Sequence, residues 1–367
     1  MPGPARSGCW AAALVAVVVI APGGGAASAA SRKRVDPPPA PRATIVMDVK
    51  TGTVLSGREM HRRWSPASTT KILSAMLIIE RLALDSFVPI SERAAAQRSG
   101  SAIGLEVGEQ WLVGDLLAAM IVRSANDAAV ALAEAAAGSV ERFAEAMNAR
   151  AARLGARNSH FTNPHGLHDP NHYTTAYDLA LITRDALRNP TFARYASMPA
   201  WTVTRGDRLS QEYPSTNKFL SRYAGADGVK TGWTAASGPC LVASATRDGW
   251  QVLAVVLKSQ SSQQMYRDAE ALLDEAFQSF RLLRVAGQGE RMAIVTLGGP
   301  HLSVEAIVPA DVHAVVKNGA KVTLRVWVRP NLRPPIEAGQ RVGDVAFLNG
   351  HAVVARSTLI AARTIRR

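Results

Sequence analysis

Cysteine is almost absent from the 367 residues: Cys9 and Cys240 are the only two. Cys9 lies in the run "CWAAALVAVVVIA" that follows Arg6. Gly and small residues ending "AASAAS" come next, the layout of a secretory signal cut after Ala29. Cleavage leaves Cys240 alone, so an internal disulfide is excluded, and in "GPCLVASA" it reads as a small buried hydrophobe. An uncleaved anchor is the alternative, but these 13 apolar residues fall short of the roughly 20 a spanning helix needs. Aromatic residues make up 6% and are not interleaved with the basic ones, which with export argues against nucleic acid. Acidic residues are also in deficit. Beyond residue 29 there are 41 basic against 29 acidic residues, net +12, and from 281 onward 13 against 5, net +8. Such a balance suits solvation or attraction to an anionic membrane surface or wall polymer. No internal repeat is visible.

Residues 30–41, "ASRKRVDPPPAP", form a charged, Pro-rich linker. "ATIVMDV" and "GTVLSG" predict two strands around a turn that contains Lys50-Thr51-Gly52. From Pro66, Ile72, Leu73, Met76, Leu77, Ile79 and Leu82 recur at helical spacing, which predicts a helix with one buried face. Helical segments follow around "VGDLLAAMIV", "NDAAVALAEAAA", "ERFAEAMNARAARLG" and "TAYDLALITRDALR". "CLVASATRDGWQVLAVVLKS" reads as two strands joined at Asp248-Gly249, and "YRDAEALLDEAFQSF" as a closing helix. The order predicts an α/β (α+β) domain with a helical block inserted between strands, over 42–283. After "VAGQGE", alternation in "KVTLRVWV" predicts a small all-β domain over 284–367.

Ser68-Thr69-Thr70-Lys71 starts the first helix. Three residues apart, the Lys71 amine reaches the Ser68 hydroxyl and takes its proton once its surroundings favour the neutral form. Free N–H groups of a first turn favour the developing oxyanion. Ser-x-x-Lys alone is weak: 26 Ser and 8 Lys give roughly half a chance match. A second copy, Ser215-Thr216-Asn217-Lys218, follows Pro214 and precedes no long periodic helix, so it reads as a decoy. Order adds the specificity. Ser124-Ala125-Asn126 follows between two helical runs, where Ser124 could instead cap the next helix. Lys230-Thr231-Gly232 follows before the returning strands. This is the order of the serine acyl-transferases that react with penicillin.

With "SPASTTKILSAM", "VRSANDAAVALAE", "NSHFTNPHGLHDPNHYTTAYDLALI" and "DGVKTGWTAASG", residues 42 to 283 resemble the low-molecular-mass penicillin-binding proteins of the D-alanyl-D-alanine carboxypeptidase type. The resemblance implies a penicillin-binding transpeptidase/β-lactamase-like domain with an antiparallel sheet and an inserted helical subdomain, followed by the small all-β domain. It implies removal of the terminal D-Ala from peptidoglycan stem pentapeptides in the periplasm or at the outer face of the cytoplasmic membrane, with β-lactams as inhibitors and no cofactor.

By position, the resemblance makes Ser68 the nucleophile, Lys71 its base and Ser124 a proton relay. Asn126 would contact the substrate amide, and Lys230 and Thr231 the terminal carboxylate. Gly232 would keep the strand edge open to an added peptide strand, and the Ser68 and Trp233 N–H groups would form the oxyanion hole. Arg267 would either approach the carboxylate or pair with Asp268 or Glu270. "HGLHDPNH" offers His165, His168, Asp169 and His172, but Gly166 and Pro170 break the run, so no metal site is read there. A cross-link endopeptidase would use the same residues. A β-lactamase is disfavoured because no Glu lies between Asn163 and Tyr195. The tail "VVARSTLIAARTIRR" leaves too short an apolar stripe for a stable interfacial helix.

Overall fold

The computed structural model describes residues 41, 43–203, 210–297 and 302–366; the expected leader and nearly all of the linker lie outside them. Two compact units are present, one ending at Phe277 and one beginning at Gln278.

The first unit is built on an antiparallel sheet. Its strands in chain order are Ala43–Asp48 (β1), Val54–Arg58 (β2), Ala226–Gly232 (β3), Cys240–Arg247 (β4) and Trp250–Leu257 (β5), arranged β2-β1-β5-β4-β3. β1 is buried along its whole length, as a continuous apolar run dictates when both faces are covered. The β1–β2 connection holds the first Lys-Thr-Gly as a turn: Gly52 has φ +77°, and the Thr51 N–H donates to Asp48. At the β4–β5 hairpin Asp248 and Gly249 both take positive φ, the geometry that two-residue hairpins favour.

Helices Lys71–Arg81 (α1), Val113–Val122 (α2), Asn126–Ala137 (α3), Val140–Arg153 (α4) and Ala176–Leu187 (α5) lie between β2 and β3 in sequence. Helix Ser262–Ser279 (α6) packs on the β4–β5 hairpin, where Trp250 and Phe277 meet edge to face at 5.3 Å. The one-face expectation for α1 is corrected. Lys71 through Ile78 are all buried, because α2, α3, α4 and α5 surround the helix. Polar positions on such a helix must find partners inside, and Ser74 donates to the Pro164 carbonyl at 2.7 Å. Cys240 lies in β4 with no exposed surface, and burial pushes its thiol up to about 11.

The second unit is all β. Strand Phe280–Ala286 (β6), which runs through the expected boundary near 285, pairs with Val312–Lys317 (β9). Arg291–Thr296 (β7), Ser303–Ile307 (β8), Thr323–Val328 (β10), Arg341–Asn349 (β11) and Ala352–Ala361 (β12) form a second sheet, in the order β7-β8-β12-β11-β10.

Candidate active site

Ser68 does not belong to α1. It sits in the tight 3₁₀ turn Ala67–Thr70 that leads into it, and Ala67 takes φ +48°. Two glycines clasp that turn. A Cβ on Gly166 would lie 1.8 Å from the Ala67 carbonyl oxygen, and one on Gly232 would lie 2.8 Å from the Ser68 backbone nitrogen. Glycine at both places is therefore a close-approach requirement. The second brings the end of edge strand β3 against the serine.

Lys71 has no exposed surface, and its amine touches three oxygens. Ser68 Oγ is 2.9 Å away, Asn126 Oδ1 2.6 Å and the His165 carbonyl 2.9 Å. The Asn126 amide is oriented by its other end, whose Nδ2 donates to the Ser99 carbonyl at 2.8 Å. Burial, then the positive charge of Lys230, holds the Lys71 amine well below the ordinary lysine range, with Asp127 opposing. A neutral amine has two protons and one lone pair. Two partners here are carbonyl oxygens that only accept, so the lone pair falls to the Ser68 hydroxyl.

Asp127 anchors the surrounding wall. It is fully buried and accepts from the backbone N–H groups of Ile103, Gly104 and Leu105. That holds the 99–105 loop over the cleft, and Asn126 N–H donates to the Ser101 carbonyl at 2.7 Å. Ser124 occupies the three-residue break between α2 and α3 with φ +65°; Ala125 is the N-cap of α3, and no side chain caps it. A non-glycine residue held there is backbone strain of the kind that sites keep.

Ser68, Ser124, Asn126, Thr231, Gly232 and Trp233 line one cleft of about 450 Å³. Lys230 lies beneath it, 1% exposed, donating to the Thr231 carbonyl at 3.1 Å. Burial lowers its amine to about 7. The Trp233 side chain is 66% exposed, so its indole is not part of the packed wall.

Arg267 is a correction. It is exposed, lies outside the cleft and bonds Gln264 of its own helix at 2.9 Å. Asp268 is taken by Ser259 and Gln264, and Glu270 by Arg222, so neither expected partner is free for it. Helix phase explains this: Ser262, Met265 and Tyr266 face the cleft at i, i+3 and i+4, and position 267 turns away. Sequence reasoning missed Thr216 and Lys218, which line the cleft although the serine of that Ser-x-x-Lys copy only accepts from the Asn217 N–H. Thr231 Oγ1 reaches Thr216 Oγ1 at 3.4 Å.

His165 and His172 turn inward, whereas His168 is exposed. His165 Nδ1 accepts from the Leu167 N–H, and His172 Nδ1 from the Thr162 N–H, leaving His172 Nε2 to meet Thr70 Oγ1 at 2.9 Å. Burial drives their pKa values down to about 3 and about 4. Among the described residues no group of three or more potential ligands converges.

The low Lys230 pKa makes a stability prediction. Between pH 7 and 10.5 the unfolded chain holds a proton that the folded chain has released, so stability rises with pH across that window. Denaturant unfolding should show the wild type gaining about 3 kcal/mol more than Lys230→Met between pH 7 and 9.5. Equal gains in the two proteins would contradict it.

A serine hydroxyl hydrogen-bonded to a buried amine, under the end of an edge strand, is the arrangement of one class: lysine-activated serine enzymes that pass through an acyl intermediate. Residues 31–261 match the family profile D-alanyl-D-alanine carboxypeptidase, and 280–367 match the C-terminal domain of penicillin-binding protein 5. The chain belongs to the D-alanyl-D-alanine carboxypeptidase family. It is 30% identical to the D-alanyl-D-alanine carboxypeptidase DacF of Bacillus subtilis over 89% of this chain and 86% of that one. It is 31% identical to DacC of Escherichia coli over 87% and 83%. Penicillin binding protein 5 from Haemophilus influenzae superposes with a TM-score of 0.80 at 28% identity, covering 91% of this chain and all of that one. These matches favour the carboxypeptidase over the endopeptidase reading.

Proposed function

We propose that this serine-type D-alanyl-D-alanine carboxypeptidase removes the terminal D-Ala of peptidoglycan stem pentapeptides through an acyl-enzyme on Ser68, and that penicillins acylate the same hydroxyl. The observation that carries the reading is the set of three oxygens around the Lys71 amine.

An extended peptide adds to the open edge of β3, with its terminal carboxylate beside Lys230 and Thr231. The carboxylate draws a proton onto Lys230, and the new charge depresses Lys71 further, so the base is most nearly neutral when substrate is seated. Ser68 Oγ attacks the penultimate D-Ala carbonyl and Lys71 Nζ takes its proton. The backbone N–H groups of Ser68 and Trp233 hold the oxyanion. The C–N bond breaks, and Ser124 passes the proton to the departing D-Ala amine. Water then repeats the sequence on the ester.

The expected leader and the wall polymer support a location outside the cytoplasm for this activity; no described helix is long and apolar enough to cross a membrane. The basic C-terminal residues add a general attraction to anionic wall or membrane surfaces.

Labelled penicillin followed by peptide mapping is the direct test. The label is expected on the peptide containing Ser68, and Ser68→Ala is expected to lose both label and D-Ala release. A label on Ser215, or none, overturns the assignment.

A further inference from the structure

The C-terminal unit holds a second concavity. In β10, β11 and β12 alternation sends Val326, Val345, Phe347 and Leu359 into the core. The opposite face carries a row of Trp327, Asp344 and Thr358, paired in register across the three strands. The next row is Arg325, Ala346 and Arg356. Ala346 is small and fully buried between those two arginines. A trough of about 890 Å³ runs along the first of these rows, its side-chain lining including Trp327, Arg341, Asp344, Arg356 and Thr358. Arg341 Nη2 donates to both oxygens of Asp344 at 2.7 Å, and the Arg325 guanidinium lies 6.0 Å from the Trp327 ring centroid.

A half-buried indole beside an Arg–Asp pair and a threonine hydroxyl suits one kind of occupant. Its ring face accepts the C–H face of a pyranose, while guanidinium and hydroxyl groups meet sugar oxygens and acetamido carbonyls. Two lining arginines against one aspartate leave the trough positive, which favours a polymer whose attached peptides bear carboxylates and repels a second copy of the same face. A lipid surface fits less well, since the trough itself sets its one aromatic among the charged and hydroxyl side chains of Arg341, Asp344, Arg356 and Thr358.

We propose that this trough binds an N-acetylated amino-sugar glycan strand of the polymer whose stem peptides enter the catalytic cleft. The proposal rests on the carboxypeptidase reading for the identity of that polymer. Holding the strand would raise the local concentration of stem peptides without altering the chemistry at Ser68.

The test uses the full chain and its Trp327→Ala, Trp327→Phe and Arg356→Glu variants. Binding is measured by titration with tetra-N-acetylchitotetraose and by co-sedimentation with peptidoglycan stripped of its peptides. Hydrolysis of a soluble acyl-D-Ala-D-Ala tripeptide is followed in parallel. Trp327→Ala and Arg356→Glu are expected to weaken both binding readouts at least tenfold. Trp327→Phe, which keeps a stacking face, is expected to stay within threefold of wild type. Tripeptide kcat/KM is expected to hold within twofold throughout, whereas KM on intact peptidoglycan rises in the two weakened variants. Wild-type failure to bind either glycan probe overturns the proposal, and so does unchanged binding by Trp327→Ala. Trp327-dependent binding to anionic phospholipid vesicles alone assigns the trough to a membrane surface and overturns it too, as does concentration-dependent dimerisation that Arg356→Glu abolishes. Loss of tripeptide hydrolysis in the wild type would instead strike the carboxypeptidase reading and leave the glycan measurement standing.

Discussion

Lys71→Met should slow acylation by labelled penicillin, and D-Ala release, by about 10⁴-fold, the upper range for loss of a general base. Methionine matches the length and apolar stem of lysine but offers no basic lone pair to take the Ser68 proton. It also strands the Asn126 Oδ1 and His165 carbonyl acceptors, at a cost of about 1–3 kcal/mol for each buried group left unpaired. Against that, the variant no longer buries a titratable amine, so its unfolding midpoint should move much less than its rate. Lys71→Arg is the decisive companion. Arginine keeps positive charge beside the serine and has no accessible neutral form, so it should be as inactive as methionine. If the arginine variant acylates within tenfold of wild type, the lysine acts as a charge and the base lies elsewhere.

The second large effect is expected from Gly166→Ala. The added methyl would sit 1.8 Å from the Ala67 carbonyl oxygen and 2.8 Å from Thr70 Oγ1, at a backbone φ of +84°. The first contact cannot be relieved by rotating a side chain, because its partner is backbone. The Ser68 turn must shift, and a displacement near 1 Å at a reacting group costs on the order of 10²-fold in rate. The left-handed backbone adds about 1 kcal/mol of destabilisation for a residue with a Cβ. Stopped-flow acylation should therefore fall at least 10²-fold while far-ultraviolet circular dichroism keeps its wild-type shape. An acylation rate within threefold of wild type would mean that the two glycines do not set the position of Ser68.

Much of the site was legible because its central pair is local. Ser68 and Lys71 share three-residue spacing, and the strands carrying Lys230 declare themselves by apolar runs and the Asp248-Gly249 turn. What was illegible is what fixes the base. Asn126 lies 55 residues from Lys71 and His165 lies 94 away. The second contact is made by a main-chain carbonyl, which no side-chain identity encodes. The histidine block drew attention as possible ligands, whereas its contribution is that carbonyl and the close packing of Gly166. Arg267 was misplaced because proximity in sequence to the right helix does not give the right face: one residue rotates a side chain by about 100°. The uniform burial of α1 was also hidden. Its pattern carries polar positions at Lys71 and Ser74, which read as a solvated face until four other helices are seen to enclose it.

The solitary thiol of β4 makes the chain its own unfolding reporter. Cys240 is sealed in the middle of the sheet and protonated at neutral pH, so an aromatic disulfide reagent reaches it only when the β3–β4–β5 ladder opens. Colour development would then count the rare excursions of the catalytic framework directly, and its slowing by a bound β-lactam would measure how strongly acylation knits the sheet together.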